Sequence, residues 1–382
     1  MNRNIRLFYV HNFLTDFQFH AAFLVIFFAQ ITGSYAQAMI VLSVLTISSA
    51  LLEIPTGILS DKIGRKWTIV LGSLFSSLGV FCYAAAHDAP LLYLGAFLNG
   101  LSCCLFSGNN DALLFETLKS EGKENKFHHY LGKTNSMFQL ALATSALTSS
   151  VIVDQGLRLV FMLGVVPQIM ALFVSLFFFE PRIHEKEKQH SLSHLITSIK
   201  IIRRNPRLLL LMFAQAISHG ANESNFQFKT VFVEKLWPIW AVGLYRSLNH
   251  GLSFFGFWFS GSLIDRFKES RLLIFREFYW FTSQIIAVFI ANVISPLLIL
   301  SGAFLFGPGN VARDHLLQKE FTNEQRATMG SVVSFTGSVV FAIVSVGIGL
   351  VADQFGVNSA VGFGVVICAL SLPLYIKLFR SV

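Results

Sequence analysis

The sequence predicts an all-α membrane protein, with twelve transmembrane helices in two related six-helix bundles. Three observations carry this expectation. The chain of 382 residues is 54% hydrophobic and 13% charged, where a soluble domain carries about 25% charged residues. Its apolar runs are long enough to cross hydrocarbon as helices and lack the period-two alternation of a barrel. Short motifs also recur in the same order in the two halves.

The spans fall near 5–31, 36–59, 67–87, 90–117, 132–154, 157–180, 207–232, 240–264, 271–291, 295–318, 327–352 and 356–377. Helices are expected because they satisfy their own backbone in lipid. Pro90, Pro181, Pro206, Pro238 and Pro296 sit near span boundaries, where a missing N–H costs least at a first helical turn. The first run contains Asp16 and His20 and lacks a small-x-small cleavage site, so it reads as an uncleaved span and not as a signal peptide. The expected domains are a bundle at 1–180, a linker at 181–206 and a bundle at 207–382. Within the linker, Leu192, Leu195, Ile196, Ile199 and Ile202 recur at helical spacing beside Arg203 and Arg204. That pattern suits an interfacial helix or a plain connector.

The repeats pair "DFQFH" (16–20) with "NFQFK" (225–229), "GILSD" (57–61) with "GSLID" (261–265), and "VDQG" (153–156) with "ADQFG" (352–356). Three ordered matches with a slowly drifting offset argue for duplication of a six-span unit. Parallel repeats of this kind imply a pseudo-twofold axis along the membrane normal, with a site between the halves.

The net charge is +8. With both termini placed inside, all but four of the 29 basic residues fall in inner segments, the exceptions being Arg158, Lys229, Lys235 and Arg246. This is the positive-inside pattern, and it replaces a nucleic-acid partner with a bilayer. Cys82, Cys103, Cys104 and Cys368 all lie in apolar runs without metal-ligand spacing, so no metal or cofactor is expected.

The loop "GILSDKIGRKW" (57–67) interrupts this apolar chain with Asp61, Lys62, Arg65 and Lys66 between Gly57 and Gly64. Gly57 is expected to let two helices approach, and Gly64 to permit a tight turn. Asp61 could pair with a base or cap a helix. Arg65 has a candidate acidic partner in Glu116. The second copy, with Asp265 and Arg266, lacks the glycine and the Arg-Lys pair.

Twelve spans in two halves, with G-x-L-x-D-x-x-G-R-K after the second, resemble the major facilitator superfamily of secondary transporters. "LLEIPTG" (51–57) and "SGNNDALLFETLKSEGKENKFHHYLGK" (107–133) are similar to a bacterial branch of it. The resemblance covers essentially the whole chain. It implies that the loop motif latches one conformation, with Asp61 engaging the start of span eleven near Thr328–Ser331.

Ionisable groups within spans are costly, at about 2.5–3.5 kcal/mol each on insertion scales, and mark functional positions by default. Asn12, Asp16 and His20 are expected along one face of span one, and Gln215, His219, Asn222 and Glu223 along span seven. Span eight adds Arg246, Asn249 and His250; span four adds Asn109, Asn110 and Asp111; span ten adds Asn310, Arg313, Asp314 and His315. The resemblance implies that spans one, four, seven and ten line a central cavity, with Asp16, Glu223 and Arg246 at its centre. Burial favours the protonated acid and a nearby arginine the carboxylate, which makes Asp16 or Glu223 a candidate proton carrier. The alternative is a static pair of Glu223 with Arg246 or Lys229. Phe13, Phe17, Phe226, Phe254 and Trp258 are expected aromatic walls.

No nucleotide-binding loop is present: "GKT" (132–134) has Phe127 where the earlier glycine is needed. The chain is therefore expected to be no enzyme. The reading is a monomeric, proton-coupled carrier of a small organic solute in a bacterial inner membrane. The mixed charges suit an anionic or zwitterionic solute. Resemblance leans towards export. Alternatives are import of a siderophore or nutrient, and a non-transporting receptor.

Overall fold

The structure, a computed structural model, describes residues 3–120, 122–180, 206–319 and 326–379. Its regular secondary structure among these residues is all helix, joined by short turns. In chain order the helices are α1 (Arg3–Asp16), α2 (Leu24–Thr32), α3 (Tyr35–Ile63), α4 (Arg65–Ala85), α5 (Ala89–Phe106), α6 (Asn109–Lys119), α7 (Phe127–Ile152) and α8 (Leu157–Leu176). There follow α9 (Pro206–Leu236), α10 (Ile239–Phe267), α11 (Glu269–Ile290), α12 (Ser295–Ser301), α13 (Phe306–Lys319), α14 (Arg326–Phe355), α15 (Val357–Ala369) and α16 (Ser371–Phe379). Among the described residues nine segments are long and apolar enough to cross a membrane. The linker at 181–206, with its expected interfacial helix, lies outside the described residues except at Pro206.

Every predicted span is occupied by helix, but four are divided. Span one splits into α1 and α2, span four into α5 and α6, span ten into α12 and α13, and span twelve into α15 and α16. The expected Asn12–Asp16–His20 stripe is therefore not one helical face: α1 ends at Asp16, before the turns that lead to His20.

Two compact units result. Among the described residues, the first gathers those of 3–33, 41–180 and 239–250, and the second those of 34–40, 206–238 and 251–379. In the first unit, Ile5 and Phe8 of α1 pack with Ile69 of α4, Leu113 of α6 and Phe178. In the second, Leu208 and Met212 of α9 pack with Leu273 of α11 and Tyr375 of α16. Also in the second unit, the Asp353 carboxylate accepts hydrogen bonds from Ser34 Oγ at 2.6 Å, Tyr35 N at 2.8 Å and Ala36 N at 3.1 Å. It thereby caps orphan donors of a helix start.

Close helix approach occurs at a different glycine from the one expected. A Cβ on Gly57 would meet no described atom within 4 Å, whereas one on Gly100 would lie 2.5 Å from the Leu45 carbonyl oxygen. Gly57 does not bring helices together in this conformation; Gly100 does. We expect Gly100→Val to destabilise the detergent-solubilised protein by about 1–3 kcal/mol through overpacking, and Gly57→Val to leave its melting temperature unchanged. Thermal unfolding monitored by size exclusion separates the two.

Candidate functional site

Three polar side chains tie α1 to its neighbours in the first unit. Asn4 Nδ2 donates to Thr117 Oγ1 at 3.1 Å and to the Phe179 carbonyl at 2.8 Å, and Asn4 Oδ1 accepts from Phe179 N at 2.8 Å. His11 Nε2 meets Ser73 Oγ at 2.9 Å. At the end of α1, Gln168 Nε2 donates to the Thr15 carbonyl at 3.1 Å, while Gln168 Oε1 accepts from Ser76 Oγ at 2.8 Å. Gln168 is buried. A carbonyl released by a helix break inside a membrane needs such a partner.

The second break lies between α5 and α6. Gly108 there has φ +71°, a left-handed conformation that glycine adopts at little cost. The Leu105 carbonyl, near the end of α5, accepts from Asn109 Nδ2 at 2.8 Å. Asp111 stands in the first turn of α6, where the helix dipole favours an acid.

Both breaks open onto one cavity of about 400 Å³. Asp16 and Gln18 reach it from the α1 break, Asn99 and Cys103 from α5, and Asn110 and Asp111 from α6. Phe106 is its aromatic member. The expected walls are elsewhere: Phe13 packs on Phe17 with ring centroids 5.5 Å apart, Phe254 lies 6.2 Å from Trp258, and Trp258 is exposed.

The other predicted site residues fall outside this lining. His20 is buried between Tyr83 and Phe161, with ring centroids at 6.4 and 5.5 Å. His219 is exposed on α9, and Asn222 donates to the Ser218 carbonyl. Glu223 accepts from Gln227 Nε2 at 2.7 Å, a neighbour one helical turn away. Arg246 and Arg313 are buried. Lys229 is also buried, its Nζ 4.6 Å from the centroid of the Trp280 ring. His315 is exposed and pairs with Glu269.

At the loop motif, Arg65 Nε lies 3.7 Å from Glu116 Oε1 and Arg65 Nη1 lies 3.7 Å from Asp61 Oδ1. Arg65 Nη1 also donates to Ser60 Oγ and Asn109 Oδ1, each at 3.0 Å. Arg65 and Glu116 are largely buried while Asp61 is half exposed, so the Glu116 pair is the less screened of the two. Gly64 has φ +90°. Glu180, which sequence reasoning passed over, caps the start of α4 by accepting from Arg65 N at 2.8 Å and Lys66 N at 2.6 Å. Lys66 Nζ lies 5.4 Å from the Trp67 ring, and Arg266 sits 5.5 Å from Phe267. Asp265 is exposed. The side chains of Thr328 and Ser331, expected opposite Asp61, lie outside those described.

Arg276 and Glu277 were also missed as site candidates. The count of inner bases put Arg276 at a loop, yet both residues are buried in α11 and bonded to each other. Gln168 carried a usable signal, as an amide inside an apolar run. Glu180 carried one too, as an acid just before Pro181 at a span end.

The family model of the Major Facilitator Superfamily matches residues 10–345. The chain belongs to the major facilitator superfamily. It is 23% identical over 348 residues to the uncharacterized MFS-type transporter YxaM of Bacillus subtilis, covering 87% of this chain and 84% of that protein. It is 28% identical over 323 residues to the multi-drug resistance efflux pump PmrA of Streptococcus pneumoniae, covering 81% and 78%. The nucleoside transporter NupG shares the fold, with a TM-score of 0.83 at 13% identity over 99% of both chains. This superfamily member is a multi-pass membrane transporter of small molecules and not an enzyme.

We expect Gln168→Leu to cost about 1–3 kcal/mol, the penalty for leaving buried polar partners unsatisfied. The check is the melting temperature of the purified variant, compared with a Gln18→Leu control at the cavity wall.

Proposed function

We propose that the chain is a proton-coupled exporter of a small organic solute, working by alternating access as a monomer in a bacterial inner membrane, with both termini cytoplasmic. The observation that carries this reading is the cavity at the two helix breaks, with Asp16 and Asp111 in its wall. An acid at membrane depth is costly, by about 2.5–3.5 kcal/mol on insertion scales, so one that faces a cavity is better explained by a bound proton or solute than by packing. Asp16 is assigned as the proton carrier, because its protonation state would respond to solvent entering and leaving the cavity.

Export is supported by the similarity to the efflux pump PmrA. The inner-membrane placement with inner termini is supported by the basic residues concentrated in the segments between spans. The Arg65 cluster supports a latch. Its contacts to Glu116, Asn109 and Asp61 would hold in one conformation and break in the other.

Purified protein in liposomes, screened with labelled amines, nucleosides and sugars under an imposed pH gradient, tests the coupling. We expect gradient-driven flux in the wild type and at least a tenfold loss in Asp16→Asn. Gradient-driven flux at the wild-type rate in Asp16→Asn would overturn the assignment.

A further inference from the structure

The residue count of the spans mixes acids with bases, but the cavity does not. Its wall holds two carboxylates, Asp16 and Asp111, and no lysine or arginine among the described lining residues. Lys229, Arg246 and Arg313, which suggested an anionic or zwitterionic solute, are buried and do not line it. The remaining wall is rich in amides and hydroxyls, including Asn99, Asn110 and Ser102, with Phe106 as its single aromatic ring among the described residues. The Oδ1 atom of Asn110 is buried and has no hydrogen-bond partner among the described residues, so a ligand donor entering here would satisfy it.

From these features we infer that the cavity takes a hydrophilic organic cation: an amine or guanidinium group facing Asp16 and Asp111, on a body that hydrogen-bonds to the amide wall. This deepens the transport reading by naming the class of solute. Each element follows from the wall. Two acids with no lysine or arginine among the described lining residues set a negative potential at the wall, and a low-dielectric surround concentrates it. Asn99 and Ser102 donate to the Gly95 and Gly72 carbonyls, at 2.9 and 2.8 Å, but a greasy ligand would leave the buried Asn110 Oδ1 unpaired, and a donor on a polar one satisfies it. A volume of about 400 Å³ lies within the range of small-molecule sites, roughly 300–1,000 Å³.

Cys103 supplies a reporter that does not depend on transport. Its side chain is exposed and lines the same cavity as Asp16 and Asp111. The purified full-length protein is treated in parallel with two methanethiosulfonate reagents of similar size, one bearing a trimethylammonium and one a sulfonate. Modification of Cys103 is followed by mass spectrometry, with Cys103→Ser marking the peptide. Each rate is divided by that of the same reagent with free cysteine. Both reagents attack the same thiolate, so the ratio of the two normalised rates cancels the ionisation of the thiol and reads the charge of its surroundings.

We expect the cation to be favoured by about tenfold or more, the lower end of electrostatic focusing in a charged cleft. That preference should fall in Asp16→Asn and in Asp111→Asn, each checked for monodispersity, and spermidine should slow the cationic reagent in the wild type. A normalised ratio near one, a preference for the anion, or a Cys103 that neither reagent reaches would overturn the inference. The liposome assay fails separately. Flux without a charge preference removes the cation and leaves transport standing, whereas a charge preference without flux keeps the cation site and removes the transport reading.

Discussion

Inside a membrane a broken helix must find partners for the backbone groups it releases, and the candidate site of this protein is built on that requirement. At the end of α1 the partner is Gln168, which gives its amide N–H to the Thr15 carbonyl and is itself fixed by Ser76. Without it the chain at 14–18 would regain its bonds only by continuing the helix. Asp16 would then follow the regular face of α1 and would not stand at the terminus beside a cavity. The cost of the break thus falls on an uncharged amide that is buried and fully engaged, and the acid is left facing space.

The second break follows the same rule and adds a connection. Asn109 uses its amide N–H on the Leu105 carbonyl and its amide oxygen on Arg65. The next two residues, Asn110 and Asp111, line the cavity. One turn of chain therefore belongs to the Arg65–Glu116 cluster on one side and to the cavity wall on the other. A rotation of α6 that parted Arg65 from Glu116 would also displace Asp111. That is a direct covalent route between the loop motif and the site, about as short as a protein can make it.

Much of this architecture was legible before any coordinates. Spans follow from apolar run length, and Arg65 with Glu116 follows from a loop base and an acid at the inner end of a span. The glycines were half legible. Gly64 announced a turn, which its positive φ confirms, but Gly57 and Gly100 look alike in sequence, and only the neighbouring backbone of Leu45 makes the second one a close approach. The breaks at 17–23 and 107–108 were not legible, because both runs are apolar enough to continue as helices. What ends them is a distant amide in one case and a left-handed glycine in the other. The repeat also misled here. "DFQFH" straddles a break, while its counterpart "NFQFK" lies in the uninterrupted α9.

Buried charge was the least readable feature, for a physical reason. The penalty for an ion in hydrocarbon is the same whether a protein group or a solute relieves it, so an ionisable letter within a span does not say which. The surroundings of these groups in the structure differ. Arg276 is met by Glu277 and rests against Gly309, where a Cβ would lie 2.8 Å from its Cδ. Lys229 lies over the face of Trp280, a stabilising cation–π geometry. These bases are neutralised or cushioned by the fold itself, which fits a role in packing α9, α11 and α13. Asp16 and Asp111 stand at ends of helical segments, against open volume. Charges compensated internally hold a bundle together, and it is on the charges left facing a cavity, Asp16 and Asp111, that the proposed transport role rests.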